Sequence, residues 1–309
     1  MHTHAIGIYD DSLHETELLE EQLIEDFPRA IREKQFQVYY QPKFDVRPET
    51  PILSSAEALV RWRHPTLGMV SPGVFIPLFE NNGLIYRLDS YVWTEAAAQI
   101  RDWRMRLGIR LPVSVNVSRI DLYEPKLIDQ LREITEQNGL SPHDLLLEIT
   151  ESAYTEDSAQ IIERVRQLRE IGFRVEMDDF GSGYSSLNML STLPVDALKL
   201  DMQFIRTAFM DRKDTRLLEA MIQLAEAFEV PTIAEGVETA EQVFTLKAMG
   251  CDIIQGYYFS RPLPASDFER FLLDHQPVAS DVFLNTKRSR RERFTYGCLM
   301  QIQLFLKTN

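Results

Sequence analysis

Hydrophobic and polar positions follow two kinds of pattern along this chain. Short apolar, β-branched runs recur, and the longer stretches between them carry apolar residues at spacings of three and four. The first pattern is typical of buried strands and the second of amphipathic helices. The predicted strands cover residues 36–42, 51–62, 111–117, 144–150, 173–179, 196–201, 230–235 and 252–259.

The predicted helices lie between these strands, and several end in glycine, which favours a helix C-terminus. They cover residues 88–108, 125–139, 158–172, 217–228 and 240–250. Eight strands that alternate with helices predict parallel βα units in an α/β fold, and hence a TIM-like (β/α)8 barrel. An open doubly wound sheet is the alternative that this pattern leaves.

Both ends of the chain depart from the alternation. The acidic stretch 13–34 predicts a connecting helix, whereas the chain changes character from residue 277, where the run TKRSRRERF is basic. We therefore divide the chain into an N-terminal linker helix at 1–34, a barrel at 35–276 and a C-terminal tail at 277–309. The basic run of the tail is interpreted as solvent-exposed.

Composition and charge narrow the class of protein. The chain has 309 residues, 44% of them hydrophobic, and a net charge of −14, which disfavours duplex DNA or RNA as a partner. The two cysteines, Cys251 and Cys298, allow neither a zinc spacing nor a disulfide framework. The N-terminus does not read as a signal peptide, and no apolar run reaches the roughly 18 residues that span a bilayer. We therefore expect a cytoplasmic globular protein without a membrane segment.

Polar side chains recur at the ends of the predicted strands, where barrels of this kind assemble their active sites. They are Glu57, Arg61, Asn116, Glu148, Glu151, Asp178, Asp179, Lys199, Asp201, Glu235 and Gln255. Strand ends are often solvated, so one such residue would carry no weight, but several stand in apolar context such as LLLEIT. Burying so many carboxylates calls for counter-charge. Oxygen ligands without a histidine cluster select Mg²⁺, Mn²⁺ or Ca²⁺ over Zn²⁺.

The adjacent pair Asp178 and Asp179 closes a predicted strand. Where the pleat relaxes into the following loop, both side chains can turn toward one centre, and one carboxylate can bridge two metals. Two cations about 3.5–4 Å apart clamp the attacking and leaving oxygens of an in-line phosphoryl displacement. Lys199 and Arg61 would then be positive charges available to phosphate oxygens. The residues therefore predict a two-metal site for phosphoryl chemistry.

The order and spacing of several motifs resemble the EAL domain, a family of cyclic-di-GMP phosphodiesterases. The namesake tripeptide lies inside AEALVRW, and the match continues through YYQP, VNVS, EITES, DDFGSGYSSL, LKLD, AEGVET and QGYYFSRPLP, over roughly residues 30–274. The resemblance implies a TIM-like barrel whose first strand runs antiparallel to the rest. It also implies hydrolysis of cyclic di-GMP to linear pGpG with two Mg²⁺ or Mn²⁺ ions.

The resemblance further assigns roles to single residues. The implied metal ligands are Glu57, Asn116, Glu148, Asp178, Asp179 and Glu235, with Asp178 bridging the two ions. The implied catalytic residues are Lys199, which orients the attacking water, together with Glu57, Glu235 and Gln255. The implied substrate-binding residues are Gln41, Arg61 and Asp201.

One loop and its anchor complete the resemblance. DFGSGYSSL matches a loop that links the metal site to a dimer interface, and Glu151 matches the glutamate that anchors it, so a homodimer is expected. Residues 6–15 resemble the end of a GGDEF-type domain, which implies regulatory sensor or GGDEF domains in a longer protein. Ca²⁺ is expected to inhibit, because it is larger and less demanding in geometry than Mg²⁺.

A non-catalytic receptor for cyclic di-GMP is the main alternative function. Receptors of this kind usually lack metal ligands or the catalytic glutamate, whereas every matched position here retains its residue. The sequence therefore favours an active phosphodiesterase.

Overall fold

The structure is a computed structural model that describes residues 11–154, 158–181, 194–210 and 212–275. The predicted tail at 277–309 and residues 182–187 of the DFGSGYSSL loop lie outside these ranges. Within them, no helix combines the length and hydropathy that crossing a bilayer requires.

Strands and helices alternate as the pattern predicts. The strands are β1 (Phe36–Asp45), β2 (Ile52–His64), β3 (Gly68–Val70), β4 (Val113–Asn116), β5 (Leu145–Thr150), β6 (Arg174–Phe180), β7 (Ala197–Leu200), β8 (Thr232–Ala234), β9 (Ile253–Gln255) and β10 (Leu263–Pro264). The α-helices are α1 (Asp11–Arg32), α2 (Pro72–Asn82), α3 (Ile85–Leu107), α4 (Arg119–Tyr123), α5 (Leu127–Gln137), α6 (Ser158–Ile171), α7 (Met202–Met210), α8 (Arg212–Ala227), α9 (Ala240–Met249) and α10 (Ala265–Asp274).

Eight of the strands close into a barrel in the order β1, β2, β4, β5, β6, β7, β8, β9 and back to β1. Strand β1 pairs antiparallel with both β2 and β9, and the neighbours from β2 through β4 to β9 are parallel. The predicted barrel with an antiparallel first strand is confirmed, and the open doubly wound alternative is wrong. The short strands β3 and β10 extend the sheet beside β2 and β1.

Two strand boundaries differ from the prediction in ways that bear on the site. The predicted last strand, 252–259, ends at Gln255. At the next residue, Gly256, a Cβ would lie 2.1 Å from the carbonyl oxygen of Val237. Only glycine allows the backbones of these two loops to approach so closely. The first strand is longer than predicted and reaches Asp45, so it carries Lys43 into the barrel.

A second core lies outside the barrel, and we call it the aromatic core. Its buried members are Leu23, Phe27, Ala30, Phe36, Trp62, Val70, Phe75, Phe79, Ile85 and Leu88. Phe36 and Trp62 are directly paired across β1 and β2, with ring centroids 4.7 Å apart. Leu23 and Phe27 of α1 are fully buried in this core. Helix α1 therefore packs against the barrel strands, and the predicted domain boundaries at residues 34 and 276 stay predictions.

A buried histidine ties α1 to β2. The Nδ1 atom of His64 accepts hydrogen bonds from the backbone N–H groups of Thr66 and Leu67 at 3.3 and 3.2 Å. A neutral imidazole that accepts at Nδ1 must carry its proton on Nε2. That proton is donated to the carboxylate of Asp26 on α1, at 2.9 Å.

Candidate active site

Four carboxylates converge on one lysine at the C-terminal mouth of the barrel. We call Glu57, Glu148, Asp178, Lys199 and Glu235 the Lys199 cluster. The Lys199 Nζ atom lies 2.6 Å from Glu148, 2.6 Å from Glu235, 3.0 Å from Asp178 and 3.8 Å from Glu57. The side chains come from β2, β5, β6 and β7 and from the residue after β8, with Glu57 near the middle of the long strand β2. Because parallel strands end at the same rim, the closed sheet brings together the residues that the strand-end pattern singled out.

One amide side chain holds Glu57 from the other side of the mouth, and a second amide contacts the first. Gln255 Nε2 donates to Glu57 Oε2 at 2.5 Å and to Gln41 Oε1 at 3.1 Å. Gln41 stands directly opposite Glu57 in the β1–β2 pairing and donates to the carbonyl of Ser260. The Oε1 atom of Gln255 is buried and has no hydrogen-bond partner among the described residues.

The adjacent aspartates Asp178 and Asp179 lie within a β-bulge near the end of β6. The pairing of β6 with β7 shifts register between Met177 and Phe180, and Asp179 takes the left-handed backbone conformation with φ 57°. A bulge of this kind redirects a side chain at the end of a strand. Asp178 joins the Lys199 cluster, while Asp179 lies beside it at the rim and donates its backbone N–H to Asp178 Oδ1. Partial burial, with Asp178 and Asp201 nearby, raises the pKa of Asp179 to about 6.

Asn116 and Arg61 lie at the rim without joining the cluster. Asn116 ends β4 opposite Glu148, and its side chain is exposed. The Arg61 guanidinium lies 5.8 Å from the centre of the Tyr39 ring, and burial lowers its pKa. Both residues line a cavity of about 520 Å³ between β2, β4, α2 and α3. A larger cavity, of about 740 Å³, lies around the start of β6 and contains none of the predicted site residues.

The last two predicted residues make contacts with the backbone. Asp201 Oδ1 accepts from the N–H groups of Gln203 and Phe204 at 2.9 and 3.1 Å, so Asp201 caps α7. Its substrate contact stays a prediction. Glu151 is buried, and its Oε2 accepts from the N–H of Gly181 at 3.2 Å, at the point where the DFGSGYSSL loop leaves β6.

The Lys199 cluster carries more negative charge than one ammonium group neutralises. Burial, and then the charge of Glu148, raise the pKa of Glu57 to about 7. Burial raises the pKa of Glu235 well above its usual range. Burial also acts to lower the pKa of Lys199, but the surrounding carboxylates outweigh it and hold that pKa well above its usual range. Lys199 is therefore protonated at neutral pH.

A second lysine lies below the cluster, inside the barrel. Lys43 Nζ lies 2.6 Å from Glu148 Oε1, 2.5 Å from Glu176 Oε2 and 2.7 Å from Ser114 Oγ. We call Lys43, Ser114 and Glu176 the Lys43 brace, and all three are fully buried. None of the three is among the residues that the strand-end pattern or the family resemblance singles out. The available signal was period two in a strand, because Glu176 shares a face of β6 with Asp178 and Lys43 shares a face of β1 with Gln41.

The donor set of the cluster suits a hard divalent cation. Carboxylate and amide oxygens are the ligands that Mg²⁺ and Mn²⁺ prefer, and the unneutralised charge calls for a further cation. Within the described part of the chain, no three His, Cys, Asp or Glu side chains form a ready metal-binding group. The ammonium group of Lys199 lies between Glu148, Asp178 and Glu235. The residues fit a metal in chemistry and charge, with Lys199 at their centre in this structure.

Comparison with known proteins gives a consistent result. The EAL domain family matches residues 24–262 of the chain. The cyclic di-GMP phosphodiesterase NbdA of Pseudomonas aeruginosa is 40% identical over 251 residues, which is 81% of this chain and 32% of NbdA. The oxygen sensor protein DosP of Escherichia coli is 37% identical over 250 residues, which is 81% of this chain and 31% of DosP. The chain thus spans about a third of the length of these relatives.

A solved structure shares both fold and sequence with this chain. The MucR phosphodiesterase of Pseudomonas aeruginosa, in complex with c-di-GMP, superposes with a TM-score of 0.76 at 35% sequence identity. The match covers 80% of this chain and 99% of that one.

Proposed function

The chain belongs to the EAL-domain family, and from that premise we propose that it is a metal-dependent phosphodiesterase that hydrolyses cyclic di-GMP to linear pGpG. The observation that carries the proposal is the Lys199 cluster, in which four of the five carboxylates predicted as metal ligands converge on one lysine at the barrel mouth. The names of similar proteins, among them NbdA and the c-di-GMP complex of MucR, support the choice of substrate.

The reaction adds one water molecule across one phosphodiester bond of the cyclic dinucleotide. The water oxygen bonds to phosphorus, the bond from phosphorus to the 3′-oxygen breaks, and that oxygen takes up a proton. Lys199 lies at the centre of the carboxylates, where its ammonium group donates hydrogen bonds and supplies positive charge. In this proposal it orients the attacking water, while Gln255 keeps Glu57 in place from the opposite side.

The proposed metal ligands are the six oxygen donors of the rim, Glu57, Asn116, Glu148, Asp178, Asp179 and Glu235. Metal dependence is general among EAL phosphodiesterases, and two bound Mg²⁺ or Mn²⁺ ions would stabilise negative charge on the phosphate oxygens. The bulge at Asp178 and Asp179 supports this assignment, because it sets two carboxylates side by side at the mouth. Asp178 is proposed to serve both ions.

The proposed substrate contacts lie on the β1–β2 side of the mouth. The Arg61 guanidinium is half-buried in the wall of the 520 Å³ cavity, where it can pair with a phosphate of the dinucleotide. Gln41 reaches the same rim through its contact with Gln255. Asp201 is proposed to support this side through α7, whose first turn it caps.

A turnover assay tests the proposal directly. The purified chain is incubated with cyclic di-GMP and Mn²⁺, and pGpG is followed by chromatography. We expect pGpG from the wild type, none above background from Glu57→Ala, and wild-type amounts from the control Glu25→Ala, whose side chain is exposed on α1. Tight binding of cyclic di-GMP without pGpG would identify a receptor and refute the enzyme.

Substitution of the metal tests the two-metal part of the proposal. Mg²⁺ or Mn²⁺ should support turnover, and Ca²⁺ added to the Mg²⁺ reaction should inhibit it, because Ca²⁺ accepts more ligands at longer distances. Full turnover with Ca²⁺ alone would contradict the two-metal account.

The remaining proposals concern the protein around the domain. We propose a cytoplasmic homodimer whose subunits communicate through the DFGSGYSSL loop, and regulatory sensor or GGDEF-type domains in a longer protein. The hydrogen bond from Gly181 to Glu151 supports a role for Glu151 in anchoring that loop. Glu151→Ala should lower turnover and metal affinity together, whereas unchanged values for both would detach Glu151 from the loop.

A further inference from the structure

Glu148 lies between two ammonium groups, each of which holds one of its oxygens. Lys199 Nζ lies 2.6 Å from Oε2, and Lys43 Nζ lies 2.6 Å from Oε1. The Glu148 and Lys43 side chains have no exposed surface. The carboxylate cannot turn about its last bond without losing one of these two contacts, so only Oε2 faces the rest of the Lys199 cluster.

Lys43 is itself fixed in position. An ammonium group has three N–H donors, and Lys43 directs them to Ser114 Oγ at 2.7 Å, Glu148 Oε1 at 2.6 Å and Glu176 Oε2 at 2.5 Å. Ser114 Oγ in turn donates to Glu176 Oε2 at 3.0 Å. The donors of Lys43 are fully used, and its acceptors come from three strands on the far side of the barrel, β4, β5 and β6. The Lys43 brace is therefore a rigid support below Glu148.

We propose that Lys43 is a positioning residue that restricts Glu148 to ligation through Oε2 alone, and that this restriction favours Mg²⁺ or Mn²⁺ over Ca²⁺ at the site. The inference rests on the proposed function, since it concerns the same metal site. Mg²⁺ demands a near-ideal octahedron of single oxygens, whereas Ca²⁺ readily takes both oxygens of one carboxylate. A carboxylate with one oxygen tied to Lys43 can offer only the other.

The competing explanation is that Lys43 and Glu176 form a buried ion pair that only stabilises the fold. Removing Lys43 alone cannot separate the two explanations, because it leaves Glu176 as an uncompensated buried charge, which strongly destabilises the folded state. Replacing both partners by apolar side chains of similar volume removes that penalty. The paired substitution therefore isolates the effect on Glu148.

The test compares wild type with the double variant Lys43→Met and Glu176→Met. Mg²⁺ and Ca²⁺ affinities are measured by titration calorimetry on the full chain without nucleotide, and folding is checked by circular dichroism. Removing a residue that orients a metal ligand typically costs about 10–100-fold in affinity. We expect the Mg²⁺ affinity to fall by about that factor and the Ca²⁺ affinity to hold, so that the ratio of the two falls with it.

Glu176→Gln is the matched control, because it keeps Lys43 and its contact with Glu148, and the Mg²⁺ to Ca²⁺ ratio should stay at the wild-type value. If the double methionine variant does not fold, Lys43→Gln with Glu176→Gln takes its place in the same measurement. That pair keeps polar groups inside the barrel but loses the ammonium, so the ratio should again fall.

An unchanged ratio in the folded double variant would overturn the inference, and so would an equal loss of affinity for both ions. The outcome is distinct from that of the proposed function. A wild type that binds Mg²⁺ but yields no pGpG refutes the function and leaves the selectivity argument intact. Normal pGpG formation with an unchanged ion ratio in the double variant refutes the role of Lys43 alone.

Discussion

The aromatic core and the Lys199 cluster share one strand and use burial in opposite ways. Trp62 of β2 packs its ring against Phe36, with apolar neighbours on every element around it. Glu57, five residues earlier on the same strand, is buried among other carboxylates, and its pKa is raised to about 7 by burial and by Glu148. The first region gains stability from burial, whereas in the second, burial places like charges together at a cost. The difference teaches that one strand, β2, joins an apolar core near its C-terminal end to a group of crowded carboxyl side chains near its middle.

The largest expected effect is on the aromatic core. Phe36→Ala removes a ring that contacts Phe27, Trp62, Phe75 and Phe79, and it should lower the free energy of unfolding by about 3–5 kcal/mol. Urea denaturation measures the loss. Phe244→Ala, whose side chain is 74% exposed, is the control and should change little. If the comparison holds, the fraction of Phe36→Ala that stays folded keeps the wild-type kcat.

The second largest expected effect is a loss of activity without a loss of stability, the opposite of the effect expected for Phe36→Ala. Asp178→Asn removes one carboxylate 3.0 Å from Lys199, and turnover of cyclic di-GMP should fall by about 10²–10³-fold. The free energy of unfolding should stay level or rise, because one of four crowded carboxyl groups is gone. Steady-state kinetics and urea denaturation on the same preparation check both. A near-normal rate, or a clear loss of stability, would break the contrast between the two regions.

Asp89 and Asp121 form a second group of crowded carboxyl side chains. This pair tests whether such crowding also lowers the free energy of unfolding outside the Lys199 cluster. Burial, and then the charge of Asp121 on α4, raise the pKa of Asp89 on α3 well above its usual range, and Glu80 on α2 adds to the effect. The pKa of Asp89 is about 3.9 in the unfolded chain, and between that value and the raised pKa of the folded chain only the folded state carries this proton. The free energy of unfolding therefore falls as the pH rises through that range. Asp89→Asn stays neutral at every pH. Its stability relative to wild type should therefore grow by about 1.4 kcal/mol per pH unit across that window.

Urea denaturation at a series of pH values gives this difference. Curves for wild type and Asp89→Asn that run parallel over the whole range would show that Asp89 titrates alike in the folded and unfolded chains. The comparison would then be sharpened, since the penalty for crowded carboxyl groups would be confined to the Lys199 cluster.

The smallest expected effect concerns the link between α1 and β2. Asp26→Ala leaves the buried N–H of His64 without its acceptor, which typically costs about 1–3 kcal/mol. Glu25→Ala, one residue away and exposed, is the control. Thermal unfolding should separate the two variants. Equal stability for both would show that the aromatic core alone holds α1.

The fold could be predicted from the sequence because each of its two hydrophobic patterns, the short apolar runs and the three-to-four-residue spacing, has one physical cause. Strands buried on both faces read as apolar runs, helices on the outside read as amphipathic, and their alternation leaves few ways to close a sheet. The antiparallel first strand came from the family resemblance. The convergence of Glu57, Glu148, Asp178, Lys199 and Glu235 followed from the rule that parallel strands end at one rim.

Contacts that depend on register were beyond reach. Lys43 meets Glu176 across the barrel, and neither strand alone reveals the pairing. Asp201 was assigned to the substrate by resemblance, whereas its visible contacts are with the first turn of α7. The bulge at Asp179 depends on a backbone conformation that aspartate adopts only occasionally. The catalytic and ligand roles of the site residues stay predictions.

The reversed direction of β1 also bears on how the chain acquires its shape during synthesis. The hairpin of β1 with β2 joins strands close in sequence, so it can form early, whereas the contact between Gln41 and Gln255 joins residues 214 positions apart. Long-range pairing of this kind is slow, because the chain loses the entropy of closing the loop before the contact contributes any stabilisation. A ribosome adding about 5–20 residues per second leaves the free edge of β1 unpaired for about 10–40 seconds before β9 emerges. That edge is a site where a chaperone or a second nascent chain could bind first.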